Sequence, residues 1–201
     1  MAEADYFTTI DKEAFAEFKD KGSRFLAHAF PIQHTDDFKL QLQRLKKQHA
    51  KAVHFCFAYR LGTDGNQFRS SDDGEPSGTA GKPILGQIDS KGLTDVAIVV
   101  VRYFGGTLLG VPGLIQAYKA AASMALQLTP AIQKPIEVKY NLQFDYTKQN
   151  EVMTILKQFN TTIIHQEQQL FCLITVGIAK ARLTEFLYRI KDLHTVEVHR
   201  A

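Results

Sequence analysis

Between Ile136 and His199 the spacing of apolar residues switches repeatedly between two and about 3.6 residues, and the order of those switches restricts the fold more than any other feature of the chain. Ile136, Val138, Tyr140, Leu142 and Phe144 alternate with Glu137, Lys139, Asn141, Gln143 and Asp145, the pattern of a half-buried strand. Thr147 is placed to cap a helix whose Val152, Ile155, Leu156 and Phe159 share one face. Thr161–Gln166 and Leu170–Ile178 read as two strands separated by the polar Glu167, Gln168 and Gln169. Leu183, Phe186, Leu187 and Ile190 line a second helix, and Thr195–His199 a last short strand. The order βαββαβ predicts a ferredoxin-like sandwich with both helices on one side of an antiparallel sheet.

The first two thirds are more mixed and predict an α+β or α/β domain. Lys21–Phe30 reads as a strand, and Asp36–Lys47 as a helix with Phe38, Leu42 and Leu45 inward. Val53–Arg60 and Gln67–Ser70 pair around the Gly62–Gly65 turn, where Gly65 is a hairpin signal. Ala80–Ile88 fits a short helix that tolerates Pro83 in its first turn. Val96–Val101 is a continuous β-branched and apolar run, hence a strand covered on both faces, and Gly113–Leu128 is an Ala-rich helix. Two prolines in Thr129–Pro135 mark a connection, which places an N-terminal domain at 1–133 and a C-terminal domain at 134–201. The whole chain is therefore read as α+β.

Charge and cysteine usage exclude several classes. Residues 1–133 carry 15 basic and 14 acidic side chains and residues 134–201 carry 9 and 7, so neither part is a polycation that would wrap nucleic acid by charge alone. The basic Lys39, Arg44, Lys46 and Lys47 fit a solvated helix face better than a nucleic-acid surface. Cys56 and Cys172 sit in apolar strand-like runs far apart, as buried reduced thiols do. The beginning of the sequence has no charged-then-apolar leader pattern and no apolar run has the length of a membrane span, so a cytoplasmic protein without membrane partners is expected.

The chemistry is concentrated between Ser70 and Tyr118. Asp72, Asp73 and Glu75 fit either a capped turn or one half of a divalent-cation site, whereas the spacing of a calcium loop fails because Pro83 falls where its last ligand belongs. Gly105, Gly106, Gly110 and Gly113 lie between a strand and a helix, in neither of the standard nucleotide-binding spacings. Lys82 and Arg102 could complement a phosphate with Tyr103 beside them for stacking, or Arg102 could pair with the acidic cluster. Ser77 and Lys119 form a possible nucleophile and base if the fold brings them together. His54, alternating with Cys56 and Ala58, reads as a satisfied strand histidine.

Taken together, KGSRF at 21–25, AVHFCFAYR at 52–60, SDDGEPSGTAGKPIL at 71–85 and VVVRYFGG at 99–106, followed by Gly110, Gly113, Ala117 and Tyr118, resemble the YigZ/IMPACT family. The resemblance implies an N-terminal domain like the second domain of small-subunit ribosomal protein five and a C-terminal domain like a ferredoxin-like domain of elongation factor G. The chain departs from the family pattern at Pro112, where a glycine is usual, and at Gln116, where a basic residue is usual. Pro112 can start a helix, but the missing charge at Gln116 weakens a phosphate grip. The eukaryotic member regulates translation by binding, so the resemblance implies a non-enzymatic, translation-associated protein with no cofactor, no metal and no catalytic residue. RNA, the ribosome or a translation-regulatory protein would be the partner. The expected binding residues are Lys21, Arg24, Lys82 and Arg102 for phosphate or acidic groups, and Tyr59 and Tyr103 as flat contact surface. Asp72, Asp73, Glu75, Thr79, Gly105 and Gly106 complete the set. The rival expectation is an enzyme or small-ligand sensor acting on a phosphorylated or acyl substrate.

Overall fold

The computed structural model describes residues 4–168 and 170–201, which form two compact units. One is Phe7–Lys134; the other is Pro135–Ala201 together with the segment ending at Tyr6.

The first unit is built on a five-stranded antiparallel sheet. Its strands are β2 (Ala14–Asp20), β3 (Ser23–Pro31), β4 (His54–Leu61), β5 (Gln67–Ser71) and β6 (Val96–Tyr103), in the order β2-β3-β6-β4-β5. Strand β6 is central, and its alternation divides the unit into two cores. Val96, Ile98 and Val100 face α2 (Gly81–Ser90) and α3 (Gly110–Gln127), while Ala97, Val99 and Val101 face α1 (Thr35–Gln48) with Phe38 and Leu45. The uninterrupted apolar run of β6 is thus explained by helices on both faces. Lys39 pairs with Asp36 and Arg44 with Glu13, so these two cations of α1 are engaged in exposed ion pairs.

Several boundaries differ from the expectation. Lys21 is not in a strand: with Gly22 it forms the β2–β3 turn, both residues at positive φ (44° and 79°). Strand β2 was missed because its first two inward positions, Ala14 and Ala16, are too small to mark a period against the outward Phe15, which leaves Phe18 as its one large inward side chain. The expected connection at Thr129–Pro135 contains β7 (Ala131–Pro135), which pairs with β1 (Tyr6–Ile10) in a separate two-stranded sheet.

The second unit contains β8 (Glu137–Phe144), α4 (Gln149–Gln158), β9 (Thr162–Gln168), β10 (Cys172–Ala179), α5 (Leu183–Lys191) and β11 (Glu197–Arg200). The order is the expected βαββαβ, and the sheet runs β11-β8-β10-β9 with every pair antiparallel. Leu142, Phe144, Ile174 and Val176 share one core with Val152, Ile155, Phe186 and Ile190, which puts both helices on the same face. Two details are corrected. Asp145 caps the 3-10 turn Tyr146–Lys148 that leads into α4, its carboxylate accepting from the Thr147 N–H at 2.9 Å, so Thr147 supplies the donor and not the cap. The β9–β10 turn is shifted: Glu167 and Gln168 pair in register with Leu173 and Cys172, so Leu170 and Phe171 lie outside the strand. Gln169, expected in that turn, lies outside the described residues. Among the described residues no helix is long and apolar enough to cross a membrane.

Candidate functional site

The signature folds as a clasp over one end of β4 and β6. Asp72 leaves β5 and turns its carboxylate onto the start of α2, where Oδ1 accepts from the Ala80 and Gly81 N–H groups at 2.9 and 2.8 Å and Oδ2 from Gly78 at 2.8 Å. Burial would raise its pKa, but these three donors outweigh burial and hold the carboxyl below its ordinary value. Asp73, at φ 42°, accepts from the Phe55 N–H at 2.7 Å while its own carbonyl meets His54 Nδ1 at 2.8 Å. Gly81 must be glycine because a Cβ there would press on the Ser71 backbone at 2.7 Å. The two aspartates therefore serve the turn, and among the described residues no cluster of His, Cys, Asp and Glu could hold a metal ion.

Glu75 goes inward. Its Oε1 accepts from Arg102 Nη1 at 2.5 Å and from the Tyr118 hydroxyl at 2.8 Å, with both charged side chains almost wholly buried. The Arg102 guanidinium lies 5.4 Å from the Phe25 ring centroid and 5.6 Å from that of Phe104, leaving Nε buried without an acceptor. The Cys56 thiol lies 2.9 Å from the Asp72 carbonyl and 3.2 Å from the Tyr118 hydroxyl, one proton facing two acceptors. Burial, with the nearby carboxylates adding to it, pushes the Cys56 thiol up to about 12 against the opposing hydrogen bond to Tyr118. Burial first, and then Cys56 and Glu75, raise the Tyr118 phenol far above its usual range, so it stays a neutral donor. Both cysteines are free and buried.

The other expected binding residues are dispersed. Strand alternation sends Arg102 to the α2/α3 side and Tyr103 to the α1 side, so the two do not form one phosphate-and-stacking site. Tyr103 donates to or accepts from His49 Nδ1 at 3.0 Å and lies under the Arg24 guanidinium, which is itself paired with Glu17 at 2.7 Å. Tyr59 offers no contact surface: it is buried against Phe38 and Phe57. Thr79 is buried and its hydroxyl donates to the Pro76 carbonyl at 2.7 Å. Gly105 packs backbone to backbone on Gly22 and Ser23, where a Cβ would overlap both residues, whereas Gly106 has open space and a φ of 86°. Lys21 and Lys82 stand exposed. Ser77 and Lys119 are both exposed, and no hydrogen bond joins them.

What the clasp leaves open is a groove of about 520 Å³ walled by Val53, Pro76, Phe104, Leu108, Val111 and Leu114, with His54, Glu75 and Arg102 also lining it. These apolar walls and Tyr118 were missed as site residues. Tyr118 carried a readable signal, a hydroxyl on a helix face otherwise made of Leu114, Ala117, Ala121 and Ala122, where it must find a buried partner.

An antiparallel sheet with helices on both faces and a glycine-rich signature clasping one end, followed by a βαββαβ unit, defines a two-domain protein class rather than a reaction. The description of the Impact N-terminal domain matches residues 21–126. The chain is 38% identical to IMPACT family member YigZ of Escherichia coli over 86% of this chain and 85% of that protein. It is 36% identical to Protein IMPACT of Rattus norvegicus over 47% of this chain and 31% of that protein. A crystal structure of an hypothetical protein superposes with a TM-score of 0.81 at 30% identity, covering 99% of this chain and 98% of that one. The chain belongs to the IMPACT family.

Proposed function

We propose that this protein is a non-enzymatic binding protein of translation regulation, acting in the cytoplasm and docking RNA, the ribosome or a translation factor through the glycine-rich face of its N-terminal unit. The observation that carries the reading is the internal use of the signature's reactive groups. Asp72, Asp73 and Glu75 are all engaged by backbone N–H groups, Arg102 or Tyr118, which favours a shaped docking face over a reacting centre. The kinship with Protein IMPACT over the N-terminal region supports the translation part of the reading. The likeness to domains of ribosomal protein five and elongation factor G belongs to the same proposal.

Exposed cations, not the buried Arg102, are the candidates for phosphate. The test is a titration of ribosomes and of structured RNA at two salt concentrations with the protein and its Lys21→Ala/Lys82→Ala variant. Saturable binding is expected, weakened in the variant, with a salt dependence shallower by about one contact per lysine removed. Absence of saturable binding to either target counts against the proposal, and so does a variant that binds as tightly as the parent.

A further inference from the structure

We infer that two copies of this chain pair through the outer edge of β9, antiparallel and centred on Gln166, so that the sheet of the second unit continues across a two-fold axis. β9 ends the strand order β11-β8-β10-β9, and all seven of its residues, Thr162–Gln168, are exposed. Alternate residues of an edge strand aim N–H and C=O groups away from the sheet, a row that another extended backbone satisfies and an anion does not.

Such edges are usually blunted by charge or by shortness. β2, an edge strand of the same length in the first unit, carries Glu17, Lys19 and Asp20, and β11, the opposite edge of the second sheet, is four residues long with Glu197 and Arg200. β9 uses neither device. It reads Thr-Ile-Ile-His-Gln-Glu-Gln, without Lys, Arg or Pro, and both Ile163 and Ile164 are exposed.

Charge selects the occupant and the register. His165 and Glu167 stand opposite Thr175 and Leu173 of β10, on one face of the sheet, with His165 Nε2 and Glu167 Oε1 2.9 Å apart. Antiparallel pairing about Gln166 sets His165 opposite the partner's Glu167 and, by symmetry, Glu167 opposite the partner's His165. Ile164 then meets the partner's Gln168, so an apolar residue faces the aliphatic part of a neutral one. Centring the pair on His165 or on Glu167 would instead set like groups against each other. The strand therefore complements itself in one register, as an isologous contact requires, and the contact closes at a dimer.

The experiment uses the full chain, sedimentation velocity over a concentration series, and single cysteines under mild oxidation. A reversible monomer–dimer equilibrium is expected. Gln166→Cys should form a disulfide-linked dimer, because directly opposed Cα atoms of an antiparallel pair lie about 4.5–5.5 Å apart. Ile164→Cys should not, since its symmetry mate would be about 13 Å away along the strands. Cys56 and Cys172 are buried, so the unsubstituted chain serves as the blank. Glu167→Lys should weaken dimerisation about tenfold, and His165→Glu/Glu167→Lys, which exchanges the two charges, should restore it, all four variants being checked for an unchanged melting temperature. Sedimentation as a monomer at every concentration overturns the inference. So does a dimer in which Ile164→Cys cross-links as readily as Gln166→Cys, one that Glu167→Lys leaves unchanged, or one that the charge exchange fails to restore.

Discussion

Replacing Glu75 by leucine tests the clasp at its centre. The carboxylate compensates a buried guanidinium at 2.5 Å and accepts the Tyr118 hydroxyl at 2.8 Å, so Glu75→Leu strands one charge and one hydroxyl. Two unit charges about 4 Å apart at an effective dielectric of about 20 attract by about 4 kcal/mol. Breaking a buried pair from one side costs about 3–5 kcal/mol, consistent with that figure. Removing the arginine as well, in Glu75→Leu/Arg102→Met, takes away the stranded charge and leaves only the Tyr118 hydroxyl without its acceptor, about 1–3 kcal/mol. The double variant should therefore be more stable than Glu75→Leu alone by about 2 kcal/mol, and the two substitutions should be far from additive. Since the chain has two compact units, the readout is native-state hydrogen exchange at the amides of β6, Val96–Tyr103, which reports the unit that holds the pair. Additive effects of the two substitutions, or a loss below about 1 kcal/mol for Glu75→Leu, would refute the argument that this pair is a buried, mutually dependent clasp.

Two further predictions concern pH and backbone packing. His28 lies on β3 between Phe15 and Phe30, with Nε2 buried and unpartnered, His49 6.0 Å away and Arg44 and Glu13 nearby; burial first, then His49 and Arg44, lower its pKa from 6.5 to about 4. The unfolded ring takes its proton near 6.5 and the folded ring only near 4, so stability is full above 6.5, falls as pH drops through that window and levels off below it. The loss is about 2 kcal/mol after discounting for partial exposure, and a stability-against-pH difference between the protein and His28→Leu should carry it; parallel curves would dismiss it. Gly105→Ala should destabilise by about 3 kcal/mol because its methyl meets the Gly22 and Ser23 backbone. Gly106→Ala, strained at φ 86° but in open space, should cost only about 1 kcal/mol, and equal melting temperatures for the two variants would contradict this account.

Much of the local structure was legible because period and turn chemistry are local. The β6 run from Val96 announced a strand covered on both faces, and the alternations and helical stripes after Pro135 announced βαββαβ. What failed locally was β2, where alanines face the core, and the β9–β10 turn, where polar Glu167 and Gln168 continue a strand exposed along its length. The candidate site was legible as a location, since the glycines and acidic residues of 71–82 do form the clasp. Its chemistry was not: Tyr59 looked available and is buried, and Arg102 and Tyr103 looked like partners and face opposite cores.

By itself the sequence determined most of the segments that become strands and helices, though not β1, β2 or β7, and the family to which the chain belongs, because these follow from side-chain pattern over a few residues. Only the tertiary structure decided what the charged groups do. Glu75, Arg102 and Tyr118 are separated by 27 and 43 positions from glutamate to its two donors, and their meeting depends on strand register and helix docking, which no local pattern encodes. That meeting turns an apparent acidic site into a neutral clasp, and leaves an apolar groove as the open face beside it.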